Sequence, residues 1–593
     1  LLKEKLNLKT LSLYLSVPLL SVIQISTLTY GSDILRLFTL LFFTIVVIIV
    51  YRSDFKFNSF LQVIPLLLIL VYLINQFILS NDITSFLLGK YNRFGGLITL
   101  LCLAIYFIIS SYQGQSSKKI FTFVLYATYL IMLTHGLMTY FGILAQDTYF
   151  DGVQRALVTS GDISLTFGNP NIASAFLGIC ISIHILLILF KIQRQYFIQI
   201  PIISLALFLL LETNSIQGLL ILFSNTIVIV LYLYKMNSFR LRQKLKVALK
   251  VLASIILIIT ILSIRQVWNY LYLNGSGEAR LNYWRASIRI WKEHKFTGVG
   301  LDNLGEVSAF YRDFNLVKQE GLWTIPDRSH NVILDHLVNG GIFAFVLWLL
   351  FIGSVTLFAV LKLFEKFQNK PSTYDVIVVI VWFGYLLQSL ISVDHILLTL
   401  IGYISAGLIY GDFLIERKNQ KLFGEKTISL FLFTLFTLAL FILNQLSLSY
   451  NVNQYLSKGN TKVLDKIYRT NFTEQQSFLD VVVKLSADKQ FRLAALFSEK
   501  LLKANPYAHQ AYYAKSVFYE SEKELAKAKQ EMEMAHKYDK FNSVYTLSLG
   551  IYEYKLKNYS KAYFWLTETI KLNPTQQGIE ILRNSLGQVE IKS

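Results

Sequence analysis

Cysteine is almost absent from this 593-residue chain: only Cys102 and Cys180 occur, far apart and each inside an apolar stretch. They supply no CxxC pair, no zinc spacing and no disulfide framework, and read as buried thiols packing like small apolar side chains. Charge is also scarce, at 16% of residues against 54% hydrophobic, and mean hydropathy is +0.49. There is no Walker motif and no GxGxxG, so a nucleotide-driven mechanism has no support. The net charge of +19 would suit nucleic acid, but much of it sits in short loops between apolar runs, which argues against that partner. The first apolar run has no convincing small-residue cleavage site and is followed at once by another, so it reads as a span rather than a cleaved signal.

What the chain has is long uncharged runs, and about 18 such residues already suggest a membrane span. Runs near 11–31, 34–51, 58–80, 94–113, 120–144, 171–190, 196–212, 214–234, 247–264, 341–361, 375–393, 395–411 and 427–449 predict an all-α polytopic bundle of 12–13 spans. The pairs at 196–234 and 375–411 are close enough for one member of each to be re-entrant. Short cytoplasmic loops carry excess Lys and Arg. Placing Lys3, Lys5 and Lys9 inside also puts Lys118, Lys119, the Lys235–Lys250 cluster and Lys362 inside, while Asp33, Asp82, Asp162, Glu212 and Asp394 fall outside. Loop 265–340 is then extracytoplasmic, and with thirteen spans so is everything after 450.

Two domains follow: a membrane domain over 1–450 and a soluble tail over 451–593. In the tail, Ala494, Ala528 and Ala562 recur every 34 residues, as do Pro506, Lys540 and Pro574. Gly550, Tyr559, Ala562 and Pro574 fall where a tetratricopeptide repeat has a small contact, an aromatic, a second small contact and a helix stop. The tail therefore resembles about three such repeats over 475–590, with an ordinary set of helical hairpins as the alternative. Either way it is a candidate protein-binding module.

Loop 265–340 is too long to be a mere connection. Its segment ARLNYWRASIRIWKEH predicts an amphipathic helix, with Leu281, Trp284, Ile288 and Trp291 as apolar stripe and Arg285, Arg289 and Lys292 as basic stripe. Such a helix suits a membrane surface, or a basic face turned to solvent. The loop ends in PDRSHNVILDHLVNGG. There His330 can act as a general base near neutral pH, or simply cap the next helix. Asn331, Asp335 and His336 are its neighbours, and the six-residue His330–His336 spacing does not place both on one helical face for zinc. Three further outer segments are unusual: GKYNRFGG with Arg93, TFGNPN with Asn169 and Asn171, and ETNSIQG with Gln217. Arginines beside a membrane suit bidentate phosphate binding.

GKYNRFGG, FGNPNIASAF, ARLNYWRASIRIWKEHKFTGVGLDNLG and DRSHNVILDHLVNGG, in that order over roughly residues 10–415, resemble the O-antigen ligase/polymerase superfamily. The resemblance implies inverting, metal-independent glycosyl transfer without a cofactor, in a bacterial inner membrane, from undecaprenyl diphosphate to a sugar, lipid or protein hydroxyl. His330 would be the base or the residue that orients the acceptor. Arg280 would bind the donor diphosphate, with Arg93, Arg285 and Arg289 as further cations. Ligases of the family commonly carry a second arginine where this chain has Ser215-Ile216-Gln217-Gly218. Gln217 or Arg93 would take its place. A lipid-linked glycan flippase and a non-catalytic envelope scaffold remain the alternatives.

Overall fold

The computed structural model describes residues 8–23, 31–52, 60–79, 82–90, 93–143, 163–190, 196–235, 276–364, 371–414, 425–470 and 475–573. Among them every regular element is helical. Eight helices are long and apolar enough to cross a membrane: Ile34–Tyr51, Leu61–Leu79, Gln115–Tyr140, Pro170–Leu189, Ile216–Leu233, Val332–Leu363, Thr373–Ile391 and Thr427–Lys458. Leu8–Val22, Leu97–Ser110, Ile198–Glu212 and Ile396–Gly411 are apolar but shorter. Each overlies an expected span, and the span expected at 247–264 lies outside the described residues. The short pair Leu97–Ser110 and Ile396–Gly411 pack on each other and are almost wholly buried among longer helices, so protein rather than lipid surrounds much of their surface.

One helix departs from the sequence reading in a way that shapes the site. The span expected from 341 begins earlier, at Val332, and breaks at Gly341, where φ is +68° and ψ −168°. The freed backbone is satisfied by the preceding loop. Val299 and Gly300 donate to the carbonyls of Val338 and Asn339 at 2.9 and 3.0 Å, and Ile342 donates to that of Lys295 at 2.9 Å. Asn75 seals the break by donating to the carbonyls of Thr297 and Gly340. The preceding loop and the membrane bundle are thus locked at one point, and 332–340 becomes a separate helix of about two and a half turns. A Cβ on Gly341 would lie 2.1 Å from the Phe296 carbonyl oxygen, in a backbone region L-residues avoid. Gly341→Ala is expected to cost about 1–3 kcal/mol from the backbone alone, plus the clash. A thermal unfolding scan in detergent checks it, and an unchanged midpoint would refute the lock.

Among the described residues of the tail, three helical pairs pack side by side after a short helix Leu464–Arg469. Their first helices begin at Gln475, His509 and Ser543, their second at Phe491, Leu525 and Tyr559. The turns repeat too: Lys489, Lys523 and Lys557 each take positive φ. Ala494, Ala528 and Ala562 are fully buried, as close approach of paired helices requires. The helix Glu425–Lys458 runs unbroken through the boundary expected at 450/451 and joins the apolar core of the bundle to that of the tail.

Candidate active site

Three loop segments interlock on one side of the bundle. The turn after Gly89 aims two backbone N–H groups at Asp302: Lys90 N donates to its Oδ2 at 2.6 Å and Gly95 N at 3.2 Å. The other oxygen of Asp302 pairs with Arg328 at 2.6 Å. Gly95 has to lack a side chain, because a Cβ there would meet the Arg328 guanidinium at 2.4 Å. Arg93 reaches over the same turn and donates to Asp327 at 2.6 Å. Segment 327–330 is fixed from the other side as well. Ser329 N donates to Asp335 at 2.7 Å, its hydroxyl meets that of Ser287 at 2.8 Å, and its carbonyl accepts from the Trp284 indole at 3.0 Å.

His330 stands at the end of this scaffold with φ +55°, a left-handed conformation that a non-glycine residue adopts at a cost. Its ring lies against Tyr283, centroids 5.3 Å apart. Its Nδ1 is buried with no hydrogen-bond partner among the described residues. Burial pushes the His330 imidazole down to about 4; Asp327 opposes this, while Arg93, Arg280 and Arg328 add to it. The ring is therefore neutral at pH 7 and able to accept a proton. Asp327 itself would be raised by burial, but Arg93, His330 and Lys90 outweigh that and hold it well below the usual carboxylate range.

Near His330 opens a narrow cleft with a cavity volume of about 70 Å³, partly open to solvent. Arg93, Asp302, Arg328, Asp335, Asp394 and His395 line it, with the rings of Tyr72, Tyr385 and Tyr403. Arg328 Nε, Asp394 Oδ1 and His395 Nε2 are buried without partners among the described residues. Burial pushes the Asp394 carboxyl up to about 7, Arg328 opposing and Asp335 and Asp302 reinforcing. Polar atoms left unpaired in a folded interior are costly, and here several converge on one opening. Carboxylates, two guanidinium groups and tyrosine rings suit a hydroxyl-rich ligand.

The residues named from sequence divide into three groups. Arg93 and Arg280 lie close enough to His330 to bias its proton affinity, and Asp335 lines the cleft. Asn331 caps the helix at Val332, its side-chain oxygen accepting from Ile333 N and Leu334 N, and its amide holds the Leu390 carbonyl at 3.1 Å. Asn169 caps Pro170–Leu189, and Asn171 accepts from the Ser215 hydroxyl at 2.7 Å. Gln217 beside them is fully buried, both of its polar atoms unpaired among the described residues. Arg285 and Arg289 form the third group. They are exposed, Arg285 donating to Asn282 at 3.2 Å and Arg289 to Asp313 at 2.8 Å. The helix Ser276–Glu293 buries Ala279, Asn282, Tyr283, Ala286, Ser287 and Ile290, and leaves Leu281 and Ile288 outside. Of the expected apolar stripe, Trp284 and Trp291 are half-buried against the loop, while Leu281 and Ile288 share the exposed face with Arg285 and Arg289. Arg328, Asp302, Asp327 and Asp394 were not singled out as site residues from sequence, although three of them stand in the quoted motifs and Asp394 among the outer acids.

Residues 201–349 match the O-antigen ligase family. The chain carries an O-antigen ligase domain. This makes it an enzyme of the membrane glycosyltransferase type. The ligase domain contains His330, Arg280, Arg328, Asp302 and Asp335, whereas Arg93 and Asp394 reach the cleft from outside the matched segment. No curated protein matches the chain.

Proposed function

We propose that this protein moves or polymerises a glycan from undecaprenyl diphosphate onto a hydroxyl acceptor, with inversion, on the extracytoplasmic side of a bacterial inner membrane. The observation that carries this reading is a neutral His330, its Nδ1 unpaired, standing among Arg93, Arg280 and Arg328. In the step, the acceptor oxygen bonds to the anomeric carbon as the carbon–oxygen bond to the diphosphate breaks. The acceptor proton passes to His330 and the electron pair leaves on the diphosphate. Arg280 and Arg93 bind that diphosphate, where fixed cations stabilise charge as it develops. Binding also has a second effect: a dianion beside the arginines offsets the charge that depresses His330, and so makes it a stronger base. The cleft holds the sugar, its carboxylates and tyrosines facing hydroxyl groups and apolar ring faces.

The domain organisation proposed is a catalytic membrane unit over 1–450 followed by a tetratricopeptide-like tail over 451–593, both soluble parts outside the cytoplasm. A surface-glycan gel of cells expressing wild type, His330→Ala and Arg280→Ala at matched membrane levels tests the function. Both variants are expected to lose long glycan. Collapse of a ladder to single units identifies a polymerase, and loss of glycan from its lipid or protein carrier a ligase. Unchanged patterns in both would sink the mechanism.

A further inference from the structure

The tail does not hang free. Arg312, at the end of the outer-loop helix Leu304–Tyr311, meets Asp539 of the second helical pair in a fully buried ion pair. Its Nε donates to Oδ1 at 3.0 Å and its Nη2 to Oδ2 at 2.6 Å. The same guanidinium donates to the carbonyls of Leu322 at 2.7 Å and Thr324 at 3.0 Å. Ser308 adds a bond to the Pro326 carbonyl at 2.7 Å. These carbonyls belong to the stretch that runs straight into Asp327–His330. Around the ion pair, rings of the tail meet rings of the loop: Phe541 on Phe314, Tyr538 on Phe310, Tyr545 on Trp323. Asn505 donates to Glu306, which in turn pairs with Lys90 of the glycine turn.

We infer that the tail is part of the catalytic apparatus: the Arg312–Asp539 pair clamps stretch 322–326 and thereby holds segment 327–330 in its working position. Arg312 and Asp539 are positioning residues, since neither lines the cleft and both act through His330. The inference rests on the role given to His330 above. Its physical basis is that a fully desolvated guanidinium is tolerated only while its donors are matched. Without Asp539 the guanidinium has to regain water, and the route to water is separation of tail from loop. The stretch that Arg312 holds by its carbonyls then loosens with it.

The first readout is His330 itself and needs no substrate. The full-length protein, carrying ¹³C-histidine, is reconstituted in lipid nanodiscs, and His330→Gln identifies the His330 signal among the eight histidines. The groups facing His330 are Arg280 and Tyr283 from Ser276–Glu293, Arg93 from the glycine turn, and Asp327 and Arg328 of its own segment. Loosening that assembly hydrates the ring and scatters three cations, so its midpoint rises from about 4 toward the ordinary value near ~6.5. Asp539→Asn is expected to raise the midpoint by at least about one unit and to make the tail protease-sensitive, with Asp539→Glu restoring most of both. General destabilisation would lower the amount of folded protein without moving the midpoint. Phe541→Ala strands no charge, serves if Asp539→Asn fails to fold, and is expected to shift the midpoint the same way by less. A wild-type midpoint in a variant whose tail is released overturns the clamp, and so does a tail that stays docked in both variants. A shifted midpoint with unimpaired glycan transfer instead overturns the role of His330 and leaves the clamp standing.

Discussion

Replacing His330 by glutamine is expected to slow glycan transfer by about 10²–10⁴-fold, the range over which a positioned general base contributes. Glutamine keeps the size and a hydrogen-bond acceptor but cannot take the proton, so donor binding should survive while turnover falls. The pH profile makes the prediction sharper. In the free enzyme His330 works as the neutral ring, its proton affinity pushed down to about 4, so wild-type kcat/KM should be flat across neutral pH and fall as pH drops through that value. Burial is the largest cause of the low value, with Arg93, Arg280 and Arg328 adding to it. Arg280→Ala removes one of those cations, so the acid limb should move to higher pH. The same change should cost about 10²–10³-fold in rate by exposing the departing diphosphate to less positive charge. A steady-state rate–pH series on purified protein decides both. An Arg280→Ala enzyme that is slower but keeps the wild-type acid limb would place Arg280 with the diphosphate and away from His330.

Much of this was legible in the sequence because it depends on local signals. Uncharged length marks spans whatever they pack on, so twelve of the expected spans have counterparts among the described helices. The 34-residue recurrence of Ala494, Ala528 and Ala562 fixes paired helices because only small side chains let the helices approach so closely. The site residues were visible as segments, not as partners. Arg93 finds Asp327, and Asp302 finds Gly95 and Arg328, across distances no periodicity encodes. The packed face of Ser276–Glu293 was not legible for a plain physical reason. Hydrophobic patterning looks for large apolar side chains, and here the packed face uses Ala279, Ala286 and Ser287 to bring the helix close, together with Asn282 and Tyr283. Leu281 and Ile288 were left outside on a face shared with Arg285 and Arg289. That mixture of aliphatic and cationic side chains is what a helix resting on anionic headgroups presents.

Asp302→Ala is the second large effect, and it falls on stability. Asp302 joins the glycine turn to Arg328, taking two backbone N–H groups on one oxygen and the guanidinium on the other. Alanine leaves Lys90 N and Gly95 N without that acceptor and the buried guanidinium without its nearest counter-charge. Removing one member of a buried pair costs about 3–5 kcal/mol, because the remaining charge is neither solvated nor matched. A large drop in the unfolding midpoint in detergent is therefore expected, with Asp302→Asn falling between, since an amide oxygen still accepts from the backbone. Asp335 and Asp394 also favour the charged form of Arg328. A loss below about 1 kcal/mol would mean that they take over the pairing. The double change Asp302→Ala, Arg328→Met separates stability from chemistry. Removing both charges together removes the mismatch, so the midpoint should recover most of its loss, as replacement of whole buried pairs by apolar side chains often does. Glycan transfer should not recover, because Arg328 would then be missing from the cleft beside His330. Recovery of both would make the Asp302–Arg328 pair a structural fastening only and leave the cleft's cationic side to Arg93.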